Sequence, residues 1–238
     1  MENKLDLSKA RLKIASDYFD ESTDENILKL IGKEYIKVLF LDIDGVLNFE
    51  NHYQAIFNNK KNLRKEVKKQ SISKMDYRSS QINFDALKRL EKLCELHPDL
   101  RIVISSTWRA NMGVKDFHEL FRHIGLKKDL PIIDRTDHLY FEDGRKVPRG
   151  CEIENWLENK GFSQINWSEI DQQKYVDKSF ISNYVILDDD ADMLYTQRNH
   201  FVHILPSPRH KDGFDEFYFN KANEILSKNI IELNYGKK

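Results

Sequence analysis

Three stretches of this chain end an apolar run in oxygen-bearing side chains. Lys37-Val-Leu-Phe-Leu-Asp-Ile-Asp-Gly-Val-Leu-Asn48 carries Asp42 and Asp44 with one residue between them. Arg101-Ile-Val-Ile-Ser-Ser-Thr-Trp-Arg109 opens into Ser105, Ser106 and Thr107. Tyr184-Val-Ile-Leu-Asp-Asp-Asp-Ala-Asp192 ends in Asp188, Asp189, Asp190 and Asp192. In extended chain, side chains two apart share a side, so Asp42 and Asp44 project together while Ile43 faces away. Carboxylates this close repel, and a bound cation, a shared proton or solvent at an exposed turn can keep them together. Hydroxyls and carboxylates gathered without cysteine or histidine suit phosphate chemistry. They favour Mg²⁺, which binds few carboxylates and keeps several waters. Arg149, at the start of a predicted helix, can reach the same edge as a counter-charge; a surface arginine before a helix is the alternative. The lesser alternative for the three hydroxyls is that they merely cap the turn that follows them.

For these groups to meet, the three runs must be neighbouring strands. Each is short, branched or aromatic in content, and ended by turn or polar residues, the pattern of a parallel strand covered on both faces. Helices alternate with them. Asn83 caps a helix through His97 whose face is Phe84, Leu87, Leu90, Leu93 and Cys94. Val114 to Ile124 is a second helix, stopped by Gly125. Val147 to Gly161 is a turn entering a third, with Ile153, Trp156 and Leu157 as its buried stripe and Gly161 at its stop. Phe214 to Leu226 closes the chain's pattern, and Pro131–Ile133 and His200–Leu205 are short strand candidates. This alternation predicts an α/β fold, a doubly wound parallel sheet with right-handed crossovers. In such sheets the strands' C-terminal ends form the ligand edge.

The 238 residues suit one α/β domain with an insertion or a small appendage. Residues 1–36 read as a polar helical N-terminal extension, and residues 37–238 as the α/β domain. A polar excursion covers about residues 49–81 and a second surface insertion about 162–182. Within the first, residues 58–69 hold six positive charges and one negative. They read as a solvated face or loop, or as a flap meeting substrate phosphates. Tyr53, Phe57 and Tyr77 could offer stacking surfaces there. Hydrophobic residues at 40% and aromatics at 11% support a core, and charged residues at 32% a well-solvated surface. A net charge of −1 gives no overall argument for nucleic acid. Cys94 and Cys151 form no paired motif and no cluster with histidine, which argues against zinc and for a reducing compartment. No apolar run approaches the about 18 residues of a membrane span, and the N-terminus lacks a secretory pattern. A cytoplasmic protein without a membrane partner is expected.

The ordered set is Asp-x-Asp-Gly, a hydroxyl at a second strand end, a basic residue at a helix start and paired acids at a third strand end. Spread over roughly residues 37–205, it resembles the haloacid dehalogenase (HAD) superfamily of phosphohydrolases. The phrases Asp-x-Asp-Gly-Val-Leu-Asn, Ser-Ser-Thr-Trp-Arg and Arg-Gly-x-x-Ile-x-x-Trp-Leu are especially similar to the HAD domain of bacterial and phage RNA-repair ("Swiss army knife") proteins. The resemblance implies a HAD-like Rossmannoid fold and a set of roles. Asp42 would be the nucleophile that becomes an aspartyl-phosphate. Asp44 would protonate the leaving oxygen and then activate water, with its main-chain carbonyl on the metal. Ser105 would bond the phosphoryl oxygens, and Ser106 and Arg109 would bind substrate, a structural ion pair being the other reading of Arg109. Arg149 would offset charge, a role in which lysine is more usual. Asp188 and Asp189 would hold Mg²⁺ with Asp42 and Asp44. Asp192 has the spacing to replace Asp189. Trp108 reads as core, His52 and His203 as structural or without signal, and Asp190 as an exposed neighbour.

The expected activity is Mg²⁺-dependent hydrolysis of a phosphomonoester. HAD proteins that dehalogenate or transport ions usually lack an aspartate two residues after the nucleophile. The insertions are modest and no large compact cap is evident, so a nucleic-acid 3′- or 5′-end phosphate is the preferred substrate. Nucleotides or small metabolites are the alternative. A non-catalytic phospho-receiver or binding module uses similar groups, but its acid pair precedes the phosphorylated aspartate. Here Asp42-x-Asp44 comes first and the acidic cluster last.

Overall fold

A computed structural model of the chain describes residues 35–48, 73–160, 180–205 and 213–228. In chain order the elements are β1 (Tyr35–Leu41), α1 (Lys74–Ser79), α2 (Phe84–Leu96), β2 (Leu100–Ile104), α3 (Val114–Ile124), β3 (Ile132–Arg135), α4 (Arg149–Lys160), β4 (Phe180–Asp188), β5 (Phe201–His203) and α5 (Glu216–Ser227). Two 3-10 turns, Thr107–Ala110 and Tyr195–Gln197, follow β2 and β4. The five strands form one sheet in the order β3-β2-β1-β4-β5, and every pairing is parallel. This is the predicted α/β doubly wound sheet. The strand order reverses at β1, so the crevice between the C-terminal ends of β1 and β4 is where such a sheet binds ligands.

The central strand shows why the sheet is covered twice. Val38, Leu39, Phe40 and Leu41 are all fully buried. Leu39 and Leu41 join a core with Leu87 and Leu90 of α2, Phe117 and Leu120 of α3 and Phe219 of α5. Val38 and Phe40 point the other way, into a second core with Ile153, Trp156 and Leu157 of α4. A strand alternates its side chains between faces, so a run with no polar residue demands helices on both. Phe40 meets Trp156 edge to face at 5.4 Å and Tyr184 at 6.1 Å.

Helix starts follow the capping chemistry. The Asn83 side chain accepts from the N–H groups of Asp85 and Ala86. Gly125 ends α3 at φ +128°, beyond the reach of most L-residues. Phe84 departs from its predicted place in the α2 stripe. It is 45% exposed, and Ala86, Leu87, Leu90 and Leu93 make the stripe instead. At the first helical position its ring covers Gly125, where an added Cβ would lie 3.3 Å away.

Two predicted boundaries shift. The end of the 49–81 excursion is ordered: Ser73 caps α1, and Gln81 and Ile82 are buried. Strand β4 begins at Phe180, so residues 180–182 belong to the sheet and not to the 162–182 insertion. Polar Ser182 and Asn183 disguised its start. Buried Asn183 is tolerated because its amide donates to the carbonyls of Ile225 at 2.7 Å and Lys228 at 2.8 Å, at the end of α5. The N-terminal extension through residue 34, the charge run with His52, Tyr53 and Phe57, and residues 162–179 lie outside the described residues. No described helix is long and apolar enough to cross a membrane.

Phe40→Ala removes the ring on which the second core closes. It is expected to cost about 3–5 kcal/mol in denaturant unfolding, against about 1 kcal/mol for the cap substitution Asn83→Ala.

Candidate active site

The site begins where β1 ends. The Asp42 N–H donates to the Leu187 carbonyl at 3.0 Å, which carries the ladder with β4 one residue past the strand. The chain then turns through Ile43–Asn48, closed by the Gly45 N–H on the Asn48 carbonyl at 3.0 Å. Ile43 is fully buried, facing away from the two aspartates as the alternation requires. Gly45 is needed here twice over. Its φ is +73°, and an added Cβ would lie 2.1 Å from Asp189 Oδ2.

Asp42, Asp188 and Asp189 each offer an oxygen atom, and these atoms lie within 4.8 Å of one another. Asp188, at the tip of β4, is fully buried. Its Oδ1 accepts the Asp190 N–H at 3.0 Å, and its Oδ2 accepts no hydrogen bond. Burial, then the Asp42 charge, pushes the Asp188 carboxyl up to about 8, with Arg149 opposing. Burial, Asp42 and Asp190 push Asp189 to about 6. Asp42 is also raised by burial, against Arg149, the Ser106 hydroxyl and the Ile43 N–H, which all favour its charge. Three carboxyls held above the ordinary carboxylate range are short of positive charge. All the donors are hard oxygens, and a buried carboxylate oxygen stands without a hydrogen bond, so the residues fit a hard divalent cation. Asp44 is outside this group; its expected place at a metal concerned its main-chain carbonyl.

Arg149 is where the sequence put it. It opens α4, its Nη1 donates to Asp42 Oδ1 at 3.1 Å and to the Ser105 carbonyl, and it lies 3.4 Å from Asp188 Oδ2. Burial works against its charge, but Asp188 and Asp42 outweigh that and hold the guanidinium above its ordinary pKa. Its own N–H donates to Asp192 Oδ2 at 2.8 Å, so Asp192 serves as acceptor for the helix start and Asp189 joins the acid cluster. Gly150 lets this helix start dock: a Cβ there would lie 2.5 Å from the Leu194 nitrogen.

The turn after β2 corrects one expectation, that of Arg109 at the substrate. Arg109, expected at the substrate, is only 2% exposed and is a structural clamp. Its Nε donates to the Thr136 carbonyl at 2.9 Å. Its Nη1 donates to the carbonyls of Ser105 and Ser106, and its Nη2 to the Asp137 carbonyl and to Glu152. Five N–H donors thus meet five acceptors, which leaves no donor for a ligand. Ser105 contributes its carbonyl to both arginines, while its buried Oγ makes no hydrogen bond. The hydroxyl that reaches Asp42 belongs to Ser106. Thr107 is exposed.

Trp108, read from sequence as core, does pack against the main core, but its Nε1–H donates to Asp44 Oδ2 at 3.0 Å. Asn48 Nδ2 donates to Asp44 Oδ1 at 2.8 Å. Asn48 and Glu152 had no assigned role. Asn48 stands four residues after Asp44 in an otherwise apolar Val-Leu-Asn step, a signal that could have marked it. His203 donates to the Asp189 carbonyl at 2.9 Å, a structural contact, and Asp190 is exposed, as expected.

Two outcomes follow from this geometry. Gly45→Ala must displace Asp189, so it is expected to weaken divalent-cation binding about tenfold in calorimetric titration, the usual scale for disturbing the surroundings of metal ligands. Without divalent cation, Asp188 should make stability fall as pH rises. Its folded pKa is above its unfolded value of 3.8, so the penalty is absent below that value and complete above about 8. In chelator, Asp188→Asn should therefore gain on the wild type between pH 5 and pH 9 in urea unfolding, and added Mg²⁺ should reverse the order.

Compared with curated proteins and with solved structures, the chain matches none. A family model described as the HAD domain in Swiss Army Knife RNA repair proteins matches residues 38–209. That span takes in every site residue above and well over half of the chain. With its parallel sheet and its acid cluster at the strand ends, the chain belongs to this family of HAD phosphohydrolase domains.

Proposed function

We propose that the chain is a Mg²⁺-dependent phosphatase that hydrolyses a phosphomonoester through an aspartyl-phosphate on Asp42. The observation that carries this reading is the division of labour between two aspartates two residues apart. Asp42 lies with Asp188, Asp189 and Arg149, where a phosphoryl group needs positive charge. Asp44 is held apart by Trp108 and Asn48.

Asp42, Asp188 and Asp189 would hold the metal, which when bound offsets their charge and that of the phosphoryl oxygens. Arg149 would orient Asp42, and the Ser106 hydroxyl that donates to Asp42 would turn its proton to a phosphoryl oxygen once that carboxylate has bonded to phosphorus. A carboxylate oxygen of Asp42 bonds to phosphorus as the bond to the leaving oxygen breaks. Asp44 gives that oxygen its proton, and an alcohol departs. Water then attacks the aspartyl-phosphate, and Asp44 takes its proton. The Asp42–phosphorus bond breaks, inorganic phosphate leaves, and both aspartates are restored.

A nucleic-acid end phosphate is the proposed substrate, a nucleotide or small metabolite the second reading. Support comes from the RNA-repair description of the family. The cytoplasm is the proposed compartment, in line with two free cysteines.

With Mg²⁺, the protein should release phosphate from 4-nitrophenyl phosphate, and Asp42→Asn should lower kcat by about 10³ or more. A stable phosphoprotein without turnover would favour the receiver reading instead. Release from a 3′- or 5′-phosphorylated oligonucleotide should exceed release from the mononucleotides by about tenfold in kcat/KM; equal rates would move the assignment to small substrates.

A further inference from the structure

The turn after β2 holds a tryptophan whose contact the steps above do not use. Its ring is half-buried against the main core, and its Nε1–H donates to Asp44 Oδ2 at 3.0 Å. From the other side, Asn48 Nδ2 donates to Asp44 Oδ1 at 2.8 Å. Asn48 is fully buried, and its own Oδ1 accepts the Gly45 N–H at 3.0 Å. That bond decides which end of the amide faces Asp44. The carboxyl is thus gripped at both oxygens by groups from two different strand ends.

We propose that Trp108 is a positioning residue for proton transfer by Asp44, holding the carboxyl at the angle from which it serves the leaving oxygen and then the attacking water. The inference rests on the proposed role of Asp44 as that proton donor and acceptor. A side chain that carries a proton to a reacting atom must stay within hydrogen-bond reach of it, and small misplacements slow such steps severely. Asp44 is only half-buried, so its rotamer needs support from neighbouring groups. An indole N–H and an amide NH₂ suit this work because both donate and neither accepts. Each can hold a carboxyl oxygen in both halves of the reaction, and neither can take the proton. In the first half the proton passes from Asp44 to the leaving oxygen as the phosphorus–oxygen bond breaks; in the second it passes from water to Asp44.

The turn also ties the two aspartates together. Ser106 Oγ accepts the Trp108 N–H at 3.4 Å while its hydroxyl donates to Asp42. Arg109 then clamps the turn from behind, on the carbonyls of Ser105 and Ser106. Residues 105–109 therefore hold the nucleophile and the proton donor in one register.

The test compares two substrates with Mg²⁺ present. The 4-nitrophenolate of 4-nitrophenyl phosphate departs with little help from a proton, whereas the alkoxide of glycerol 2-phosphate needs one. Trp108→Phe keeps a ring and loses the N–H. It is expected to lower kcat/KM, which reports only the steps up to departure of the leaving oxygen, about tenfold on glycerol 2-phosphate, the loss of one hydrogen bond to a carboxylate, and by less than about twofold on 4-nitrophenyl phosphate. Asp44→Asn should show the same bias, larger. Equal losses of Trp108→Phe on both substrates, beside a biased Asp44→Asn, would overturn the positioning role and leave the role of Asp44 standing. An unbiased Asp44→Asn would remove that role and the proposal with it. Benzothienylalanine at position 108 keeps the bicyclic shape without the N–H, and the same comparison on it decides the matter if Trp108→Phe does not fold.

Discussion

Mutual repulsion among three carboxylates, two of them buried and the third half-buried, is the constraint around which this molecule is arranged. Asp42, Asp188 and Asp189 bring oxygens within 4.8 Å of one another at the switch point of the sheet. No exposed turn would hold them so, because water would let them part. They are held because two of them, Asp42 and Asp188, are anchored by adjacent strand ends that cannot move without breaking β1–β4 pairing. Arg149 offsets part of the charge, and Asp188 stays raised to about 8 in spite of it. A site left short of positive charge could hold a metal cation.

Much of the remaining machinery serves to keep that arrangement stiff. Gly45 leaves room for the Asp189 carboxylate, and Gly150 lets the first turn of α4 press against the segment after β4. Asp192 accepts from the first N–H of α4, and Arg109 joins the turn after β2 to the end of β3 and to Glu152 of the same helix. The charged groups nearest the site are thus mostly engaged with backbone. The burial of Arg109 is tolerated because each of its donors finds an acceptor.

The two aspartates of the Asp-x-Asp step illustrate how environment separates the tasks of like residues. Asp42 is 3% exposed and faces Arg149 and the acids of β4. Asp44, two residues on, is half-buried and engaged by an indole and an amide. One faces an arginine and two further acids, the other two neutral N–H donors. The fold draws them to different partners from a single turn.

Sequence alone determined the fold class, the strands that bear the acids, and the residues Asp42, Asp188, Asp189 and Arg149. Such features depend on local periodicity, capping and strand-end placement, all of which are written in adjacent residues. It also recorded, through the order of its motifs, the family to which the chain belongs. Only tertiary structure showed that Asp189 and not Asp192 joins the acid cluster, that the Ser106 hydroxyl bonds Asp42, and that Arg109 is a clamp. Each of those choices is set by where a side chain's partner lies, and the partners stand far away in the chain. Gly45 meets Asp189, Asp192 meets Arg149, and Trp108 meets Asp44 across separations that no local pattern encodes.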